Sequence, residues 1–414
     1  VSTATKRLED ESPLRIRAFR AVFTSAVFSN SSTSVAYIAL PMLAVIELDA
    51  SPGQVGILAT LSTIAFLLIG LPAGAWVDRH HRIMIAADLA RALLFATVPV
   101  AWFLGYLNLY HLYLVALIGG TGAVFFDIAS QSALPRIVPP GMLIRANTYL
   151  ATVYALAAIS GRGIGGSLVA LLSAPLATLA SALAYLSSAF ALRNARGNGN
   201  TERPRKEPVP LRRRIAIGAR YVVSDAELRA LTATAAIANL GSSVLNTMLP
   251  LWFVRHVGLS GSALGLFWAV GGIGLLVGSR FAGALANRLG YGRTLCAGGL
   301  LLSPAALLVP LIDQGGSYVL ASAGWFLAMF KIGLDNILGV SLRQQKTPPE
   351  LLGRMTATVR FALTGALAVG AGISGLAGEL WGVEATLWVG AALVSVAPVA
   401  VLLSPVRRRV ALVS

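Results

Sequence analysis

Twelve apolar runs separated by short polar breaks limit what this chain can become. They fall near residues 20–46, 53–77, 83–105, 109–133, 143–172 and 174–192, then 228–254, 261–286, 293–312, 317–342, 351–380 and 384–404. A helix needs about 20 mainly apolar residues to cross the hydrocarbon core of a bilayer. Several runs are longer, which implies tilt or extension beyond the membrane. Only 12% of the residues are charged, against about 25% in soluble domains, so the chain cannot cover a water-facing surface. With no water in the bilayer to satisfy the backbone, the runs are expected to be helices. The expectation is an all-α integral membrane protein.

The charge pattern gives an orientation. The net charge is +16, but the basic residues form no continuous domain on which nucleic acid would bind. They alternate with the runs. The breaks at 47–53, 105–111, 173–175, 313–317 and 379–384 are poor in positive charge, Arg255 with His256 being the exception among breaks of this kind. The others carry Arg79 and Arg82, Arg136 and Arg145, Arg288 and Arg293, and Arg343, Lys346 and Arg354. Both ends are basic as well, through Arg15, Arg17 and Arg20 and through Arg407, Arg408 and Arg409. Positive segments stay in the cytoplasm, which is where both termini are expected. Residues 1–20 lack the pattern of a cleavable signal, so the first run is expected to direct insertion. Richness in Ala, Gly and Arg suggests a bacterial source, and so a bacterial cytoplasmic membrane.

Residues 193–214 form the one long polar break and divide six runs from six. Their Gly, Pro, Asn and charge read as a linker. The expected division is a first six-helix bundle at 1–192, a cytoplasmic linker at 193–227 and a second bundle at 228–414. Residues 212–225 fit either an amphipathic helix on the inner membrane surface or a solvated segment drawn to anionic lipid.

The two halves share special residues at one constant spacing. Gly74 and Gly283 are 209 residues apart, and so are Arg79 and Arg288, Asn30 and Asn239, Pro41 and Pro250, Gly56 and Gly265, Arg145 and Arg354, Gly161 and Gly370, and Gly166 and Gly375. A single shift that holds across half the chain indicates two parallel repeats about an axis along the membrane normal. The expected fold is therefore twelve transmembrane helices in two six-helix parallel repeats.

Two six-helix halves around a basic linker resemble the major facilitator superfamily. Residues 70–82, GLPAGAWVDRHHR, resemble that family's signature between helices two and three, with Gly74, Asp78, Arg79 and Arg82 in place and departures at His81 and Ile83. The second copy, 279–293, keeps Gly283 and Arg288 but has Asn287 opposite Asp78. Residues 130–147, SQSALPRIVPPGMLIRAN, resemble the loop between helices four and five of exporters in the enterobactin and macrolide efflux group. Residues 161–166, GRGIGG, resemble the helix-five antiporter motif, with Arg162 in place of its proline. The helix-four arginine typical of proton-coupled drug exporters has no counterpart in residues 117–122. The resemblance implies alternating access, in which two halves rock about a central site.

The chemistry of such a protein is binding and gating, so the candidates are intramembrane charges and interface glycines. Gly70 and Gly74, four apart, admit a close neighbour helix. The resemblance brings Asp78 near the start of helix eleven, where a helix N-terminus stabilises a carboxylate and would latch the cytoplasmic side. Arg79 and Arg82 are candidates for acidic side chains or lipid phosphates. Gly161, Gly165 and Gly166 are expected to pack helices. Asp127, Lys331 and Asp335 lie inside apolar runs, where charge is costly and either pairs or lines a route. Lys331 and Asp335 are one helix turn apart and can pair. Arg162 needs an anion, either Asp127 or an acidic substrate group, and Arg360 is expected to reach the cavity or the inner water layer. Asn30, Tyr37, Asn239, Asn246 and Trp268 either pack or face the cavity.

Cys296 is the only cysteine, and the four histidines are scattered, so no metal site or cofactor is expected. No phosphate-binding loop or metalloprotease motif points to an enzyme. The leading expectation is a proton-driven exporter of a small amphipathic molecule, a drug, antibiotic or siderophore-like metabolite, working as a monomer among membrane lipids. The alternatives are a nutrient importer of the same fold and a non-transporting receptor.

Overall fold

The structure, a computed structural model, describes residues 12–76, 80–139, 142–193 and 211–410. These residues are almost entirely helical. In chain order the helices are α1 (Arg17–Ile46), α2 (Pro52–Trp76), α3 (His80–Phe103), α4 (Leu109–Ile137), α5 (Leu143–Leu172), α6 (Ala174–Arg193), α7 (Leu211–Ser224), α8 (Ala226–Leu251), α9 (Gly261–Leu289), α10 (Tyr291–Leu302), α11 (Gly316–Lys346), α12 (Pro349–Trp381) and α13 (Val383–Val396). Among the described residues, eleven helical stretches are long and apolar enough to cross a membrane. The expected fifth run forms the thirty-residue α5 but is not one of the eleven. Two other runs are less regular than expected. The ninth passes from α10 into a 3-10 segment at Ser303–Leu311, which contains Pro304 and Pro310. The twelfth breaks after α13 at Pro398 and resumes for one turn at Val399–Leu402. A proline removes a backbone donor and clashes with the preceding turn, which accounts for both interruptions.

The chain divides into two compact units. One holds Val1–Ala50 and Leu61–Arg205, the other Ser51–Thr60 and Lys206–Ser414. In the first, α1 packs on α5 and α6, and α3 packs on α4 and α6. Small polar residues make the α1–α6 contact close. Ser25, Ser29 and Ser32 are buried on α1, as are Ser181 and Ser188 on α6. Ser25 and Ser188 share a hydroxyl hydrogen bond of 2.7 Å, and the Ser32 hydroxyl donates to the Ser181 carbonyl at 2.7 Å. Small residues let membrane helices approach, and hydrogen bonds between them stabilise the contact where apolar burial gives little drive.

In the second unit α8 packs on α12 and α13, α9 on α11, and the 3-10 segment at Ser303–Leu311 on both α11 and α13. Individual contacts recur at the 209-residue spacing. A Cβ on Gly161 would lie 2.5 Å from the Ser34 Cβ, and one on Gly370 would lie 2.9 Å from the Ser243 Cβ. Ser32 meets Ser181 in the first unit, and Gly241 approaches the Gly390 carbonyl in the second. Gly165 lies against Val35, and the Ser374 hydroxyl donates to the Val244 carbonyl at 3.1 Å. Pro41 in α1 and Pro250 in α8 share the spacing and the interior helix position.

Helix α7 occupies much of the expected linker. It lies on α12, with Val222 buried against Met355 and Val359. The Tyr221 hydroxyl donates to the Lys346 carbonyl at 2.8 Å, and Gly218 faces Arg354 and Thr358. Of the two sequence readings for this segment, helix is the one observed, with Val222 on its protein-facing side. The α7–α8 junction is held by charge. Asp225 caps α8 by accepting from the amides of Glu227 and Leu228, both at 2.9 Å. Lys346 pairs with Asp225 at 2.6 Å and with Glu227 at 2.7 Å, and Arg409 pairs with Glu227 at 2.8 Å. Burial disfavours the Asp225 charge, but the bonds from Lys346 and the two amides outweigh it and hold its pKa below the ordinary carboxylate value.

Candidate functional site

Among the described residues of the first unit, the most deeply buried charges are Asp88 and Arg91 on α3, 0% and 1% exposed. They form an ion pair one turn apart. Asp88 also accepts from the Ser188 hydroxyl and, at 3.3 Å, from the Ser29 hydroxyl. Arg91 donates to Ser29 at 2.9 Å, and its guanidinium stacks 4.3 Å from the Tyr185 ring centroid and 5.4 Å from that of Phe126. Gly122 on α4 makes room for this side chain, since a Cβ there would lie 2.9 Å from Arg91 Cγ. The cluster ties α1, α3, α4 and α6 together. Sequence reasoning did not single it out. The available signal was a pair of opposite charges three residues apart inside the run at 83–105.

A second polar cluster joins α1, α4 and α5. The Tyr154 hydroxyl donates to Asp127 Oδ1 at 2.8 Å, and Asn30 and Ser130 stand beside the same hydroxyl. Asn30 Nδ2 donates to the Ala26 carbonyl one turn back, at 2.8 Å. Arg162 on α5 is half-buried, and its guanidinium lies 4.9 Å from the centre of the Tyr37 ring. An aromatic face meets the cation. Gly161 and Gly165 pack tightly against α1, and Gly166 is buried.

In the second unit Lys331 and Asp335 form the expected ion pair along α11. Lys331 is buried, and its Cε would lie 3.8 Å from a Cβ on Gly299 of α10. Trp268, 1% exposed, donates to Asn246 Oδ1 at 2.6 Å, so these two pack against each other. Asn239 Nδ2 donates to the Leu363 carbonyl at 3.4 Å and borders a cavity between α8, α11 and α12.

The expected gate is described only in part. Gly70 and Gly74 lie on the last turns of α2, but their surroundings fall outside the described residues, as do Asp78 and Arg79 altogether. Arg82 and Arg288 are exposed. Gly283 lies on an exposed stretch of α9, with Phe281, Ala284 and Asn287. Among the described residues a Cβ there would meet nothing within 4 Å. A carboxylate at a helix N-terminus does occur within the second unit. Glu379, near the end of α12, accepts from the Gly53 amide at 2.9 Å and from the Ser51 hydroxyl, at the start of α2. Gly56 and Gly375 are in close backbone contact one turn along.

A bundle of long apolar helices with charges folded inside it defines a polytopic membrane protein of the transporter kind. The sequence profile of the Major Facilitator Superfamily matches residues 22–334 and again 231–413, and the chain belongs to that family. It is 28% identical over 306 residues to the multidrug efflux pump Tap of Mycolicibacterium fortuitum, across 70% of this chain and 73% of that one. It is 25% identical over 330 residues to an uncharacterized MFS-type transporter, y4rN, of Sinorhizobium fredii, across 79% and 80%. Among solved structures, a bacterial homologue of the iron transporter ferroportin in its inward-facing state superposes with a TM-score of 0.73 at 17% identity, covering 95% of this chain and 99% of that one. At that identity the likeness concerns the fold.

Proposed function

We propose that the chain is a secondary active exporter of a small amphipathic organic molecule, driven by protons through alternating access. The observation that carries this reading is that α1, α4 and α5 hold Asp127 against Tyr154 beside Asn30 and, separately, Arg162 against Tyr37. They set an ionisable carboxylate and a cation against tyrosine rings inside a membrane bundle, the combination an amphipathic solute and a proton require. Likeness to an efflux pump supports the outward direction.

In this reading α5 completes twelve membrane helices, and the contacts repeated 209 residues apart support two parallel six-helix repeats. Both termini then face the cytoplasm of a bacterium, and the chain works as a monomer in lipid. Asp78, with Gly70, Gly74, Arg79 and Arg82, forms the inner latch, and Arg288 with Gly283 marks its second copy. The Glu379 cap on α2 is the outer counterpart, using the attraction of a helix N-terminus for a carboxylate. Asp127 exchanges the proton. Lys331 and Asp335 hold α11 and flank the route, and Gly161, Gly165 and Gly166 are the surfaces on which α1 and α5 move.

The test is drug susceptibility in an efflux-deficient host, with and without a protonophore, for the natural chain and for Asp127→Asn and Asp335→Asn at several pH values. Protonophore-sensitive resistance that Asp127→Asn abolishes is expected. Equally pH-dependent export by both variants would remove the proton role. Uptake of a nutrient without efflux would favour the importer reading.

A further inference from the structure

Arg162 stands deep in the membrane part of the first unit. Helix α5 turns into α6 at Ser173, and α6 has twenty residues. Twenty residues make about 30 Å of helix, the thickness of the hydrocarbon core. At about 1.5 Å per residue, Arg162 lies about 16 Å from that turn, near the middle of the core. A guanidinium stays protonated, and charge at this depth is tolerated where it is paired or faces a water-filled space.

Gly161 and Gly165 bring α5 against α1 at Ser34 and Val35, which sets Arg162 beside Tyr37. The guanidinium carbon is 4.9 Å from the ring centroid. A ring face attracts the charge but offers no oxygen to the guanidinium N–H groups. Among the described residues those groups make no hydrogen bond or ion pair. The fold itself does not demand a cation here, since the position 209 residues later is Ala371, which is buried.

The surroundings of Arg162 are polar. Tyr37 is 44% exposed, and Thr33, one turn earlier on α1, is exposed as well. With Asn30 they share one face of α1. Asn30 stands beside the Tyr154 hydroxyl that donates to Asp127. This face therefore runs from a carboxylate at one end to a guanidinium at the other. The helical rise puts Asn30 and Tyr37 about 10 Å apart along α1, and Tyr154 and Arg162 about 12 Å apart along α5. An exposed polar face at membrane depth lines water rather than lipid.

We propose that Arg162, seated on Tyr37, is the subsite that takes the carboxylate of the transported molecule, and that the substrates are organic acids with an aromatic body. The paired oxygens of a carboxylate match the guanidinium fork, and the exposed part of the Tyr37 ring suits an aromatic neighbour. This rests on reading α1, α4 and α5 as part of the transport route and divides the work along it. Asp127 handles the proton, and Arg162 handles the charge of the substrate.

The experiment is a calorimetric titration, near neutral pH, of the purified full-length chain in phosphatidylcholine nanodiscs with naphthoate and with its neutral isostere naphthamide, with empty nanodiscs as the blank. Naphthoate is expected to bind about tenfold more tightly than naphthamide, the size of one charge-assisted hydrogen bond. Arg162→Gln is expected to abolish that preference while leaving naphthamide unchanged, and Arg162→Lys, which keeps the charge but not the fork, to fall between. The unfolding midpoint of the ligand-free Arg162→Gln chain is expected to match or exceed that of the natural chain, because no carboxylate loses a partner. A lowered midpoint with the preference intact would make Arg162 a packing residue and overturn the proposal. Equal binding of the two probes by the natural chain, or binding of neither, would overturn it too, and this comparison needs no variant to fold. Binding is read without a gradient. Resistance that fails in cells while the preference holds counts against the exporter reading alone, and a lost preference with protonophore-sensitive resistance counts against this subsite alone.

Discussion

Asp88 and Arg91 illustrate what a single residue decides inside this molecule. Each satisfies the other and is held by hydroxyls and aromatic faces from three further helices. Removing one partner of a buried pair leaves a charge without compensation, at a cost of about 3–5 kcal/mol. Asp88→Asn is therefore expected to lower the thermal unfolding midpoint in detergent sharply, whereas Asp88→Leu combined with Arg91→Met is expected to recover much of the loss. Equal damage from the single and the double change would show that the packing around the pair, not its charge, matters. The ion pair of Lys331 and Asp335 was legible in the sequence because both partners lie on one helix at a spacing that brings them together. The Asp88 cluster was not, because its hydroxyl partners look like small packing residues until α1, α3 and α6 are assembled. The same holds for Arg162, whose Tyr37 partner depends on how α1 and α5 pack.

At the scale of the element, α7 shows how a polar linker becomes structure. Its composition supplied the helix, but the partner surface on α12, formed by Met355 and Val359 and approached closely at Gly218 of α7, was not readable. Gly218→Leu is expected to unseat the helix from Arg354 and Thr358 and to raise amide hydrogen exchange across Leu211–Ser224, with α1–α6 unaffected. Tyr221→Phe removes one hydrogen bond and is expected to cost about 0.5–1.5 kcal/mol. The cap of α8 gives a pH dependence. The folded pKa of Asp225 is depressed, so its contribution is complete above the ordinary carboxylate value of 3.8 and fades as the pH falls through the lower folded value. Asparagine still caps a helix, so Asp225→Asn isolates the charge. Its unfolding midpoint is expected to lie below that of the natural chain near neutrality and to converge with it in acid. A gap that persists in acid would assign the effect to geometry.

For the whole molecule, the all-helical membrane character was legible, because membrane spans announce themselves by length and polarity, and eleven described stretches meet that measure. The irregular stretches around Pro304, Pro310 and Pro398 were not, since an apolar run reads the same whether its turns are α or 3-10. The Gly53–Glu379 contact also escaped the sequence, because it joins residues 326 positions apart. Glu379→Gln keeps a hydrogen-bond acceptor and removes the charge. It is expected to change the rate of export with little effect on the amount of protein in the membrane. Unchanged export would reduce Glu379 to a local cap. The recurring contacts carry one more consequence. Gly161 and Gly370 face Ser34 and Ser243 in the same way, so each of these two contacts supplies a replicate of an experiment done on the other. An alanine placed first at one glycine and then at the other poses the same steric question twice in one polypeptide. Whatever differs between the two answers measures the neighbourhood, and whatever agrees belongs to the contact.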